Sequence, residues 1–125
     1  YMAVLQFKKI TASDEGRQRQ AALLAFSAFS ELKHVFLVDE DVDCFDMNDV
    51  LWAMNTRFQR DADIITIPGV RCHPLDPSND PSCSDSIRDH GIACKTIFDC
   101  TVPYDQKDRF KRAQFMDVDP EHWVK

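Results

Sequence analysis

No run of apolar residues in this chain approaches the ~20 needed to cross a bilayer, and no signal-peptide pattern opens it. Positive charge is also short. Fifteen Lys and Arg stand against 21 Asp and Glu, a net charge of −6. Nucleic acids and anionic membranes are bound through clustered cations, so both are disfavoured as partners. The five cysteines, Cys44, Cys72, Cys83, Cys94 and Cys100, are odd in number and no pair has a C-x-x-C spacing. Reduced thiols in a cytoplasmic protein are therefore expected, several of them packed as small apolar groups. There is no internal repeat and no low-complexity tract.

What remains is the composition of a soluble globular domain, 44% hydrophobic and 29% charged, and 125 residues suffice for one core but not two. The opening "YMAVLQFKKI" starts in the middle of a strand-like run. The chain is accordingly expected to be one domain, residues 1–125, cut from a longer protein.

Periodicity predicts a strand over residues 2–8 and then a helix over "RQRQAALLAFSAFSEL". Ser13 and Asp14 are N-cap candidates, with Glu15 in the first turn. Ala21, Leu24, Ala25, Ala28 and Phe29 form the expected inner stripe, widened by Leu23 and Phe26. Residues 35–38 are unbroken apolar, as in a strand buried on both faces. A second helix is expected from about Met47 to Gln59, with Asp46 as N-cap and Asp49 close to a capping box. Residues 64–67 make a third strand, stopped by Pro68-Gly69. The fold class is thus α/β: a β-α-β-α-β unit with a mostly parallel sheet, helices packed on it, and a long loop after the third strand. That loop, residues 68–91, carries Pro68, Pro74, Pro77 and Pro81. "ACKTIFDCT" reads as a fourth strand, residues 105–115 as an amphipathic helix and "DPEHWVK" as a terminal turn.

Three constellations could carry chemistry. In "HVFLVDEDVDCFD", Asp39, Glu40, Asp41, Asp43 and Asp46 crowd together. A calcium loop would need Gly where Cys44 stands and Glu where Val50 stands. A phosphoacceptor receiver domain, the rival from another functional class, needs a carboxylate ending the third strand, and "DIITIPG" has none there. The cluster reads instead as a strand-to-helix handover, its charges facing solvent or pairing with an arginine such as Arg57. Cys72, His73, Cys83, His90 and Cys94 are zinc-ligand types around the long loop, but their intervals match no zinc pattern. His73, on the Pro-rich loop past a strand taken as parallel, would sit where α/β sheets bind ligands and could exchange hydrogen bonds with a phenol or carboxylate. Spacing alone favours a surface residue.

The stretch "VDEDVDCFDMNDVLWAMNTRFQ", with its D-V-x-W-A-x-x-T-R helix, resembles the C-terminal domain of the UbiD family of reversible decarboxylases. The likeness continues through "IPGVRCHPLDPS" and "KTIFDCTVPYDQKDRF". "EGRQRQAALLAFSAFSELK" and "HPLDPS" resemble the branch acting on hydroxybenzoates, with 3,4-dihydroxybenzoate (protocatechuate) the expected substrate and gallate or 4-hydroxybenzoate the alternatives. The resemblance implies prenylated FMN with a divalent metal (Mn²⁺ or Mg²⁺) and K⁺, bound mainly by the preceding N-terminal domain. The family's catalytic Glu-Arg-Glu set belongs there too, so this chain alone is expected to be inactive. It would supply one active-site wall and contacts in a homo-oligomer. The cinnamate-type pattern V-R-G-F-A-L aligns with Val70 to Leu75, which puts His73 at an aromatic wall position and keeps Leu75 as the apolar one. His73 is the candidate catalytic residue and His73 with Leu75 the candidate substrate contacts; no metal ligand is assigned. Lys95 and Asp99 match family positions and read as structural support. Ser27 falls near a Lys that contacts the cofactor phosphate in the cinnamate branch, which leaves cofactor contacts from this domain unassigned.

Overall fold

The structure, a computed structural model, describes residues 1–79, 91–115 and 119–123. A first strand (β1, Met2–Phe7) is followed by a helix (α1, Arg17–Ala28) and a second strand (β2, His34–Asp39). A second helix (α2, Met47–Arg57) leads through a single turn (α3, Arg60–Asp63) into a third strand (β3, Ile64–Arg71). The fourth strand (β4, Ile92–Cys100) precedes a 3-10 turn over Tyr104–Arg109 and a short helix (α4, Pro120–Trp123). Residues 110–115 have no regular structure, so the amphipathic helix expected over 105–115 is replaced by the shorter turn. Among the described residues, no helix is long and apolar enough to cross a membrane.

The sheet order is β1-β2-β4-β3, with β1, β2 and β4 parallel. The mostly parallel sheet is as expected, but β3 runs antiparallel to β4 at the sheet's edge. The cause lies in α2. Its last residue, Arg57, is tied to Asp39 at the carboxyl end of β2, so the helix does not carry the chain back to the start of the strands. The next strand must begin on the carboxyl side, and Ile64 pairs with Phe98 near the end of β4. Nor do Pro68 and Gly69 end β3. The register shifts between Ile67 and Val70, with Gly69 at φ +70°, and pairing resumes at Val70. Proline is tolerated at a bulge on an edge strand, where its missing N–H interrupts no inner ladder.

The core forms on both sides of β2. Val35 and Leu37 pack with Ala22, Phe26 and Ile97 towards α1, while Phe36 and Val38 pack with Val50, Ala53 and Cys100 towards α2. The inner stripe of α1 is not the expected one. Gln18, Ala22 and Phe26 are buried, Leu23, Leu24 and Phe29 exposed. Polar contacts fix this rotation: the buried Asp99 carboxylate accepts from Gln18 Nε2 (3.2 Å) and Arg19 Nε (2.6 Å). The expected caps also move. Gly16, at φ +89°, precedes α1, and Asp14 serves a 3-10 turn over Ala12–Asp14 by accepting from the Ile10 and Thr11 amides.

Candidate functional site

Clefts open at both ends of the sheet. The larger, about 610 Å³, opens at the carboxyl end of β2, where Asp39, Asp41, Arg57, Lys107 and Arg112 line it. This is the position at which open parallel sheets bind ligands, and Asp39, Glu40 and Asp41 of the crowded carboxylates line it. Their charges are mutually engaged. Arg57 donates to Asp39 (3.0 Å) and to both oxygens of Asp41 (2.7 Å each). Lys107 pairs with Glu40, and Arg112 with Asp49. Asp46 caps α2 by accepting from the Asn48 amide (2.9 Å). Asp49 makes no capping box, since it accepts from the Asp43 amide instead (2.7 Å). Burial pushes the Asp39 carboxyl above its ordinary range, against the pull of the Val102 amide and Arg57. The cleft is an ion-pair lattice that closes the strand-to-helix handover.

The second cleft, about 410 Å³, is lined by Tyr1, Lys33, Cys72, His73, Leu75, Asp76 and Pro77. It lies at the opposite end of the parallel strands. Because β3 is antiparallel, its end at Arg71 pairs with Ile92 at the start of β4, and residues 72–79 approach the start of β2. His73 therefore does not sit past the carboxyl end of a parallel strand, as expected, but at the amino end of the sheet.

The loop bearing His73 is held at several points. The Cys72 amide donates to the Gly91 carbonyl (2.7 Å), and the His73 carbonyl accepts from the Asp76 amide (3.1 Å) and Asn79 Nδ2 (3.3 Å). Lys33 reaches across from the start of β2 to Asp76 (2.8 Å) and to the Ser78 hydroxyl. These bonds to Lys33 and Ser78 bring the Asp76 carboxyl down to about 2. His73 Nδ1 accepts from the Leu75 amide at 3.0 Å. With Nδ1 an acceptor, the neutral imidazole carries its proton on Nε2 and presents a donor. Nε2 stands 3.7 Å from Glu31 Oε1. Leu75 shares the cleft and is 82% exposed.

Of the proposed zinc types, Cys83 and His90 lie outside the described residues. Cys72 is buried and Cys94 exposed, and no group of three His, Cys, Asp or Glu side chains is placed to hold a metal among the described residues. Both long helices begin among carboxylates, Asp14 and Glu15 before α1 and Asp46 with Asp49 at α2. Such ends repel a phosphate. The donors on these residues thus do not fit a flavin phosphate with its metal. Sequence reasoning missed Glu31 and Lys33. They sit in an irregular turn without periodicity, some 40 residues from the loop they meet.

Residues 1–100 match the family described as the 3-octaprenyl-4-hydroxybenzoate carboxy-lyase C-terminal domain. The chain belongs to the UbiD family, as that C-terminal domain. This UbiD domain is 61% identical over 118 residues to the gallate decarboxylase of Lactiplantibacillus plantarum, covering 94% of the chain and 24% of that protein. Among solved structures, it superposes on the apo 3,4-dihydroxybenzoic acid decarboxylase of Enterobacter cloacae with a TM-score of 0.88 and 60% identity, over 99% of this chain and 25% of that one. The UbiD-class enzyme HmfF of Pelotomaculum thermopropionicum, in complex with FMN, matches with a TM-score of 0.80 and 29% identity, over 99% and 26% of the two chains. The UbiD domain described here thus spans about a quarter of the length of its relatives.

Proposed function

We propose that this UbiD domain forms part of a non-oxidative, reversible decarboxylase of hydroxybenzoates, with 3,4-dihydroxybenzoate the foremost substrate, giving catechol and CO₂. The observation that carries this reading is the 60–61% identity, over nearly the whole domain, to decarboxylases of gallate and of 3,4-dihydroxybenzoate. The complete enzyme would use prenylated FMN with Mn²⁺ or Mg²⁺ and K⁺, held outside this chain, in a homo-oligomer.

The domain's part is to hold the substrate ring. His73 and Leu75 make a wall with one donor and one apolar contact, on a loop that Lys33, Asn79 and Gly91 pin in place. Nε2–H of His73 donates to a ring hydroxyl oxygen. That bond favours the phenolate form of the hydroxyl, from which electron density is pushed toward the ring carbon that gains a proton as CO₂ leaves. His73 acts here as a donor rather than as the base, because Nδ1 is occupied by the Leu75 amide. Replacing His73 by Phe in the complete, cofactor-loaded enzyme is expected to lower kcat on 3,4-dihydroxybenzoate by about 10²–10³-fold, the usual loss for one such donor. Steady-state CO₂ release measures this, and unchanged turnover would remove His73 from the site.

A further inference from the structure

A phenol bound by His73 has a proton to lose, and His73 cannot take it, since Nδ1 accepts the Leu75 amide and Nε2 already carries a proton. The acceptor across the gap is a carboxylate. Glu31 Oε1 stands 3.7 Å from Nε2, too far for a direct hydrogen bond yet close enough for one oxygen atom to lie within bonding distance of both. We propose that Glu31 is a second substrate-facing residue, which accepts the proton of the ring hydroxyl that His73 binds. This deepens, and rests on, the hydroxybenzoate reading of the His73 cleft, which Glu31 borders through its 3.7 Å approach to His73.

The proton transfer balances without a further reagent. The phenolic O–H bond breaks, a new O–H forms on Glu31 Oε1, and the electron pair stays on the phenolic oxygen under the Nε2–H of His73. The phenolate feeds electron density to the ring carbon that exchanges CO₂ for a proton. When the catechol leaves, Glu31 returns its proton to the same oxygen.

Glu31 is also placed by the fold. Lys95, buried on β4, donates to the carbonyls of Ser30 (2.5 Å) and Leu32 (2.6 Å), one on each side of Glu31. A buried ammonium needs such acceptors, so the turn that carries Glu31 cannot shift without stranding the charge. The adjacent cation, Lys33, is engaged by Asp76 and Ser78. The Glu31 side chain keeps 39% of its surface exposed, on the approach to His73.

The test uses the complete, cofactor-loaded enzyme and 4-nitrocatechol, whose absorption distinguishes phenol from phenolate, at a pH below its solution pKa. Wild type is expected to bind the probe as the phenolate. Glu31→Gln, nearly isosteric, should bind it as the neutral phenol, and Glu31→Asp should restore the phenolate spectrum. With 3,4-dihydroxybenzoate, Glu31→Gln should lose about 10²-fold in kcat, as for a general base, with a much smaller change in KM. A Glu31→Gln enzyme that still gives the phenolate spectrum and wild-type kcat overturns the inference while leaving the hydroxybenzoate reading intact. A wild-type enzyme that neither binds the probe nor decarboxylates any hydroxybenzoate overturns both.

Discussion

Asp76 makes the loop that bears His73 a folded object rather than a tether. One of its oxygens accepts from the Ser78 amide (2.9 Å) and hydroxyl (2.7 Å), the other from Lys33 (2.8 Å), so the carboxylate closes its own turn and docks that turn on β2. The ion pair, strengthened by the Ser78 bonds, sets its carboxyl at about 2 against an ordinary 3.8. The folded value lies below the unfolded one, so the contribution to stability is fully present above about pH 4 and is lost as pH falls towards 2. In amide NMR spectra, the Ser78 signal should therefore hold steady from pH 7 to 4 and then shift with a midpoint near 2. The Asp76→Asn protein should show no such step. A wild-type midpoint at 4 would mean that the docking does not exist in solution.

At the scale of elements, Arg57 decides more than its own contacts. As the last residue of α2 it is almost wholly buried and binds Asp39, Asp41 and the Phe110 carbonyl, joining β2, the acidic turn and the segment after the 3-10 helix. Trp52 lies beneath its guanidinium at 5.0 Å. Replacing Arg57 by Met leaves the buried Asp39 without its cation and is expected to cost about 3–5 kcal/mol. The midpoint of urea unfolding checks it, and a loss under 1 kcal/mol would show the pair to be idle. The same residue marks the limit of what the sequence made legible. The strands, both long helices, the Asp46 cap and the Arg57 pairing all follow from local pattern, because each depends on residues close along the chain. The direction of β3 does not, since it depends on where a side chain at the end of α2 is tied. The rotation of α1 departs from apolar periodicity for a related reason. Apolar periodicity favoured Leu24, whereas the buried Asp99 draws Gln18 and Arg19 inwards and leaves Leu24 70% exposed. His73 stands as a candidate by its resemblance to a family pattern. Its end of the sheet, and its neighbour Glu31, required the tertiary structure.

For the whole molecule, the open side of the His73 cleft carries the argument. Leu75 is 82% exposed, and Leu24 and Phe45 elsewhere on the surface are 70% and 96% exposed, apolar area of the kind that marks a contact surface. The wall proposed for the substrate ring has a donor, an acceptor and an apolar contact, while the described residues hold no cluster that could bind a metal and no helix end suited to a phosphate. A wall of this kind lowers no barrier by itself, because hydrogen bonds to a ring hydroxyl stabilise charge that some other group must first help to develop. The 125-residue chain, supplied with prenylated FMN, Mn²⁺, K⁺ and 3,4-dihydroxybenzoate, is therefore expected to release no CO₂ above background. Adding the remaining three-quarters of the enzyme as a separate polypeptide should restore turnover if the two parts dock, and should at the same time shield Leu75 from hydrogen exchange. Turnover by the chain alone would place the full catalytic set within these residues and overturn the division of labour proposed for them.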